Sequence, residues 1–356
     1  MTATVATRDP ATNLAIAVRR ARISDKAAVL AFASRTFDGW DYIPGVWDDW
    51  VAASDGVLLV ATGQDDDRPI AITRVTILSD TEGWLEGIRV DPSVRGQGVA
   101  TNLQIAELAW GQAHGLQVIR YLTGHTNEGS LKLGAHHGFA VSGARRYHGR
   151  PDDDDGPVAG RSDRPATLDE LDRQGMLLPT DASPEVIASA WRVVDTDATF
   201  ARADRLYEHR PWALQRLDER RFAAHVRAGE VLRDASGSAV GIMPRMTAMA
   251  EDDRPHLAIL AGDGLATLRL VLAAETASGG GIAVRLPDPD PPMLADQRVV
   301  DAWAAAGLAP RAWSQLILAR VLAPDETLPT PEPDGALVLR DRPERVAMAP
   351  AIGSDR

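Results

Sequence analysis

The sequence predicts an α+β protein made of two unequal copies of one fold, each a mixed, mostly antiparallel sheet with flanking helices. Three observations carry this. Three apolar runs broken by turn-rich segments follow one another between Val57 and Val90. A helical apolar period then opens at Val99 and alternates with strands as far as Tyr147. The second half repeats that order more loosely. Strands that begin as a meander and only then alternate with helices fit an α+β architecture.

Along the first half, Ala15 to Ile23 reads as a strand, and Ser24-Asp25 is a natural N-cap for a helix whose apolar face is Ala27, Leu30 and Ala31. A second short helix spans Val46 to Ala53. Val57 to Thr62, Pro69 to Leu78 and Glu82 to Val90 are strands separated by GQDDDRP and SDTEG, whose Gly, Asp and Pro suit turns. After Asp91-Pro92 the apolar positions Val99, Leu103, Ala106, Trp110 and Ala113 recur at helical steps, and His114-Gly115 supplies a stop. Leu116 to Leu122 is a strand, Ser130 to His137 a helix ended by Gly138, and Phe139 to Tyr147 a last strand.

The 356 residues carry 50 Asp+Glu against 38 Lys+Arg, a formal net charge of −12, and no cysteine. That length suits two domains of roughly 150 residues. We expect a polar mobile leader over 1–14, a first domain over 15–150, a linker rich in Asp, Pro and Gly over 151–180, a second domain over 181–322 and a tail over 323–356. Absence of Cys excludes a disulfide framework, a thiolate metal site and a thiol nucleophile. The acidic balance argues against nucleic acid and anionic membrane as partners, because both select basic surfaces. No transmembrane run or secretory signal is present, so a cytoplasmic protein, monomer or homodimer, is expected. The run Asp152–Asp155 lacks the spacing of a calcium loop, and His136-His137 lacks the i, i+4 partner of a zinc helix, so no metal is expected.

The chemistry concentrates in Trp84 to Thr101, WLEGIRVDPSVRGQGVAT. A strand ends at Val90, and a loop bearing Arg95, Gly96 and Gly98 feeds into a helix. Free N–H groups and the positive dipole end of such a helix seat an anion, and glycine lets a phosphate approach the backbone. The dinucleotide G-x-G-x-x-G pattern fails because Thr101 takes the place of its third Gly, and a P-loop fails for want of Lys followed by Ser or Thr.

Arg95-Gly96-Gln97-Gly98-Val99-Ala100, preceded by Val90-Asp91-Pro92, resembles motif A of the GCN5-related N-acetyltransferase (GNAT) superfamily. Asn127, Ser130, Leu133, Gly138 and Phe139 resemble its downstream Asn-x-x-Ser-x-x-Leu and Gly-Phe signature. The resemblance implies a tandem GNAT, or acyl-CoA N-acyltransferase, fold and the cosubstrate acetyl-CoA. It implies that N–H groups from Arg95 through Gly96, Gln97, Gly98, Val99 and Ala100 to Thr101 bind pyrophosphate, and that the main chain at Ile88, Arg89 and Val90 pairs with pantetheine. Asn127 would lie near the CoA arm, and the Val90 amide would polarise the thioester carbonyl. An oxyanion donor of that kind is typically worth a factor of about 10² to 10³.

Attack by an amine needs a base. On the strand, Trp84, Glu86, Ile88 and Val90 alternate onto one face, which sets Glu86 among apolar neighbours, where a carboxylate is a better base. The alternative is that Glu86 pairs with Arg89 or Arg74. The slot where many relatives carry a Tyr acid is Gly134, which leaves Tyr147, Tyr42, His136 and His137 as candidates for the general acid. Between the first two helices, Asp38, Trp40, Asp41 and Tyr42 gather carboxylates for a cationic amine and rings to stack on an acceptor; the alternative is a hydrophobic plug with acids facing water.

That stretch, with WLEGIRVDPSVRGQGVA after it, is similar to the histidine N-acetyltransferase group, which implies transfer to the α-amine of a free amino acid such as histidine. The alternatives are a non-catalytic acetyl-CoA-binding regulator and an acetyltransferase for an aminoglycoside, a polyamine or a protein N-terminus. In the second half, Phe222 to Arg233, Ala239 to Arg245 and His256 to Ala261 read as strands. Gly264 to Ala277 reads as a helix, Ile282 to Leu286 as a strand, Val299 to Ala306 as a helix and Trp313 to Val321 as a strand, with ALVLRD a stray edge strand. Its loop Ala261-Gly262-Asp263-Gly264 has lost the anion pattern, and Asp263 would repel pyrophosphate.

Overall fold

The computed structural model describes residues 16–34, 36, 41–63, 66–149, 171–172, 175–210, 212–244, 256–277, 283–288, 309–329 and 337–339. The leader 1–14 and the helix expected over 299–306 lie outside these. Among the described residues, those up to Tyr121 with Gly129–Ala140 and Ala319 onward form one compact unit, and Leu122–Glu128 with Val141–Leu318 form another.

The first unit is built on β1 (Ile16–Arg20), β2 (Gly56–Gly63), β3 (Pro69–Ile77), β4 (Glu82–Val90) and β5 (Val118–Gly124), with β15 (Leu337–Leu339) at the edge. Its order is β15-β1-β2-β3-β4-β5. All neighbours are antiparallel except β4 and β5. The expected meander is thus present, and Leu337–Leu339 of the ALVLRD segment pair with β1 at the edge.

One face of this sheet is covered by α1 (Lys26–Ala33) and α2 (Ile43–Ala52), whose Val29, Ala33, Ile43, Trp47 and Trp50 pack with Leu58, Val60 and Ile72. A short 3-10 turn over Ile23–Asp25 precedes α1, so Asp25 begins the helix as expected, but its carboxylate is taken by Arg19 (2.8 and 2.9 Å). The opposite face carries α3 (Val99–Ala113), tied to β3 by a hydrogen bond between Thr73 and Glu107. At its end Leu116 N–H reaches back to the Gly111 carbonyl (3.0 Å), the closure expected of a left-handed Gly115. Gly138 closes α4 (Glu128–His136) in the same way, and Phe139 then packs edge-on against Tyr121 at 5.2 Å.

Two irregularities in β4 set up the rest of the molecule. Arg74 faces Glu86, but Ile72 faces Arg89, so Gly87 and Ile88 together face the single Thr73. That is a β-bulge, and Gly87 provides the left-handed φ of +74° that it needs. The bulge overturns the simple alternation expected from Trp84 to Val90: beyond it Arg89, not Ile88, shares the face of Glu86, and Val90 lies opposite Ala71 on the other face. Second, β4 pairs with β5 only over Glu82–Trp84. From Leu85 onward its outer edge has no ladder partner among the described residues.

In the second unit, β6 (Ala140–Gly149) pairs antiparallel with β13 (Ala283–Asp288), which pairs with β11 (His256–Leu257). A separate sheet has the order β12-β10-β9 (Ile259–Gly262, Ala239–Ile242, Val231–Arg233), and β7 (Leu206–Arg210) forms a hairpin with β8 (Ala213–Arg216). Helices α5 (Pro184–Asp195), α6 (Ala198–Arg202), α7 (Glu219–Arg227) and α8 (Gly264–Ala277) surround them, and β14 covers Ala309–Val321. The strand expected over Phe222 to Arg233 is instead α7 followed by the short β9. Asp218 caps the helix by accepting from Arg221 N–H (2.7 Å), and Phe222 and Val226, one turn apart, are both buried. The expected linker also ends early, because Leu171 and Leu178 are buried in the second unit's core. Among the described residues no helix is long and apolar enough to cross a membrane.

A Cβ on Gly87 would stand 2.6 Å from Cζ3 of Trp50 as well as at positive φ. Gly87→Ala should therefore lower folding stability by about 2–4 kcal/mol, from backbone strain plus overpacking. Urea denaturation followed by tryptophan fluorescence checks this, and a loss below about 0.5 kcal/mol would show that the bulge yields freely.

Candidate functional site

Beyond Val90 the chain turns sharply because the Asp91 carboxylate accepts from Ser93 N–H (2.9 Å) and Oγ (2.7 Å), bonds that also hold its pKa below the ordinary value. A 3-10 turn over Pro92–Val94 leads to exposed Arg95, Gly96 and Gln97. Gly98 caps α3 in the left-handed conformation, φ +83°, and offers no side chain to the helix start. The first helical bond runs from Asn102 N–H to the Gly98 carbonyl (3.1 Å). Helix geometry leaves the N–H groups of Gly98, Val99, Ala100 and Thr101 without a carbonyl one turn back. A Cβ at Gly96 or Gly98 would meet nothing within 4 Å, so the space above these donors is open. Donors, dipole and space all suit a diphosphate.

Next to this loop runs the outer edge of β4. Asp91 N–H bonds the Ile70 carbonyl (2.9 Å), toward β3. Strand backbone alternates sides, so the Val90 amide projects to the unpaired edge. A donor and an acceptor row of this kind accepts an extended amide-bearing arm as an added strand would be accepted.

On the face of β4 that looks toward α1 and α2 lies a cluster of charges. Arg89 holds Asp41 through Nε (2.6 Å) and Nη2 (3.2 Å), and Asp41 also accepts from Ile43 N–H (3.0 Å) with its side chain fully buried. The Arg89 guanidinium covers the Tyr42 ring at 5.1 Å, and that ring meets Trp50 edge-on at 5.9 Å. Burial pushes the Tyr42 hydroxyl up to about 12, against the pull of Arg89. Glu86 accepts from Thr76 Oγ1 (2.6 Å) and stands 3.6 Å from Arg74 Nε. Arg74 is itself buried, bonded to Asp55, Thr76 and the Trp50 carbonyl.

The structure thus brings together Glu86, Asp41, Tyr42 and Arg89, and separately Arg95 through Thr101 beside Ile88 and Val90. Asp41 stands as the buried partner of Arg89, and the Tyr42 ring packs between Arg89 and Trp50. Asp38 and Trp40 lie outside the described residues, as does the side chain of Tyr147, whose backbone pairs with Arg285. Asn127, exposed, donates its N–H to the Gly124 carbonyl (3.0 Å) just before α4. His137 is buried at the end of α4, where burial and the nearby His136 and Arg320 push its pKa down to about 4. Sequence reasoning missed Thr73 and Glu107, although a carboxylate one turn after Leu103 on the buried stripe of α3 was a visible anomaly.

The helix start at the corresponding place in the second unit is different. Asp263 accepts from Ala266 N–H (3.2 Å), so a fixed carboxylate already occupies the first turn of α8.

Residues 27–139 match the model of the acetyltransferase (GNAT) family. No curated protein matches the chain significantly. Among solved structures, a GCN5-related N-acetyltransferase from Sphaerobacter thermophilus is 14% identical with a TM-score of 0.52, covering 86% of this chain and 95% of that one. A Thermoplasma acidophilum protein assigned as an acetyltransferase is 15% identical with a TM-score of 0.50, covering 86% and 99%. At such identities the likeness speaks for the fold. The glycine-opened helix start and the β4 edge beyond its pairing with β5 both lie inside residues 27–139, the segment that matches the acetyltransferase (GNAT) family model.

Proposed function

We propose that this protein moves the acetyl group of acetyl-CoA directly to the amine of a small molecule, the α-amine of a free amino acid such as histidine being the first acceptor to test. The observation that supports this most is that an open anion seat at Gly98–Thr101 and an open strand edge from Leu85 to Val90 are joined by only a short turn. Bound there, acetyl-CoA supplies an activated acyl carbon. The chain's N–H groups hold its pyrophosphate, and the β4 edge holds its pantetheine arm. The outward Val90 amide donates to the thioester oxygen, where charge develops during attack.

Glu86 is the base in this reading. Its carboxylate is oriented by Thr76 (2.6 Å) and shares the face of β4 that carries Arg89 and Tyr42, on the side of α2. A positioned base contributes about 10² to 10⁴ in rate. The contact with Arg74 favours a second reading, in which Glu86 only braces that buried guanidinium. Tyr147 is the proposed proton donor to the departing thiolate. Absence of cysteine favours direct transfer over a Cys-bound acyl intermediate. The second unit, whose α8 is capped by its own Asp263, serves in this reading as a degenerate copy that leaves donor binding to the first.

Three measurements follow. CoA release with acetyl-CoA and a panel of amino acids, polyamines, aminoglycosides and peptides should single out a small free amine; tight acetyl-CoA binding without release for any amine would favour the regulator. Gly98→Val should raise the acetyl-CoA Kd by about tenfold or more, equivalent to about 1.4 kcal/mol, because its side chain enters the space over the N–H groups. Calorimetric titration checks this, and an unchanged Kd would remove the loop from the site. Glu86→Gln should lower kcat by about 10²-fold with acetyl-CoA affinity retained. Turnover within about twofold of the parent would assign Glu86 to bracing Arg74 instead.

A further inference from the structure

Glu107 lies in α3, on the side turned toward the sheet, and is 1% exposed. Its Oε1 meets Thr73 Oγ1, and its Oε2 accepts from Gln104 Nε2 at 3.3 Å. Thr73, fully buried, is the residue that faces the β4 bulge, and its Oγ1 also lies 3.5 Å from the Glu86 carbonyl oxygen. One side chain of α3 therefore reaches, through one hydroxyl, the strand irregularity on which the proposed donor site depends.

The protons decide how this chain of contacts works. Thr73 has one hydroxyl proton and two oxygens within reach, Glu107 Oε1 and the Glu86 carbonyl. If Glu107 is ionised, that proton goes to the carboxylate, and Thr73 no longer donates to the carbonyl. If Glu107 carries a proton, it donates to Thr73 Oγ1, and Thr73 is free to donate onward to Glu86. Both contacts are satisfied together only in the second arrangement. We propose that Glu107 is a positioning residue which, in its protonated form, donates through Thr73 to the Glu86 carbonyl and so holds the β4 bulge in the shape that presents the Val90 amide.

The surroundings favour that form. Burial pushes the Glu107 carboxyl up to about 8, against the opposing hydrogen bonds from Thr73 and Gln104. On the sheet face beneath α3 the ionisable side chains are Tyr121 of β5 and, two strands from Thr73, Arg20 at the exposed end of β1. The Tyr121 hydroxyl donates to the Ser130 carbonyl (2.9 Å), and burial pushes it up to about 12, so it stays neutral. Among the described residues β2, β3 and β4 place no ionisable side chain on this face. A carboxyl with a raised folded-state pKa is held best at low pH, and its contribution fades as pH rises through the folded value. The contribution is thus full below the ordinary carboxylate range, falls as pH rises toward about 8 and is lost above it.

This inference rests on the acetyl-CoA reading only for its effect on turnover, so the test has an arm that needs no ligand. Hydrogen exchange of the full chain, read by mass spectrometry on peptides covering 84–92 and corrected for the intrinsic pH dependence, is compared with CoA release from about pH 6.5 to about pH 9.5. For the parent, the relay-dependent protection of β4 should fall by up to about tenfold per pH unit as pH rises toward about 8 and level off above it, while kcat falls above about pH 8 as the protonated form is depleted. Glu107→Gln, whose amide donates to Thr73 at every pH, should abolish that decline in both readouts. Thr73→Val should show weak protection throughout, and Thr73→Ser should restore the parent curve. A Gln variant that follows the parent curve, or a Val variant with parent-like protection, overturns the proposal. Should the Gln variant fail to fold, the Val and Ser pair decides. Absence of acetyl-CoA binding at every pH would sink the functional reading while leaving the exchange result to judge the relay.

Discussion

The organisation of the first unit depends on one constraint, the extra residue that β4 carries opposite Thr73. Without it Arg89 would sit on the α3 face and could not meet Asp41, and Val90 would take the opposite orientation. With it, Arg74, Glu86 and Arg89 share one face, and the strand bends away where its pairing with β5 has already stopped. A one-residue change of phase exchanges the two faces of a strand. Gly87 at φ +74° makes that change tolerable, and Trp50 packs directly over it, so α2 and the bulge fix each other.

Charge is distributed unevenly about the same sheet. On the α1/α2 side, carboxylates and guanidinium groups are matched: Asp41 with Arg89, Glu86 and Asp55 with Arg74, Asp25 with Arg19. Apart from Asp55, whose side chain is 60% exposed, these pairs are buried; such pairs add little net stability against an apolar alternative, but removing one partner strands the other, which costs about 3–5 kcal/mol. They therefore fix arrangement more than they stabilise it. On the α3 side, Glu107 has hydroxyl and amide partners instead of a cation, and the less costly solution there is a neutral carboxyl.

Much of the fold was legible because its signals are local. Apolar runs bounded by Gly, Asp and Pro located β2, β3 and β4 within two residues, and left-handed glycines at 115 and 138 marked two helix ends. The glycine cap of α3 was legible for the same reason, since a cap without a side chain is written in the sequence itself. What escaped depends on partners far along the chain. Asp41 looks free for an amine until Arg89 is brought beside it, 48 residues away. The bulge is silent because Gly87 has no side chain to reveal a change of face. In the second half, β-like residues around Phe222 hid a helix whose capping Asp218 was the stronger local signal.

The two long helix starts show how little separates an open helix start from a self-capped one. Both α3 and α8 follow a strand and begin near a glycine, and both expose first-turn N–H groups that need an acceptor. At α8 the chain provides its own, because the Asp263 carboxylate accepts from Ala266 N–H and places a fixed negative charge on the dipole end. At α3 the cap is Gly98, so the acceptor has to come from elsewhere, and the left-handed turn leaves room for it. A diphosphate approaching α8 would meet repulsion and an already satisfied donor; approaching α3 it meets neither. The asymmetry between the two helix starts is therefore a matter of which residue fills one cap position, and it supports the proposal that an anion binds at the first.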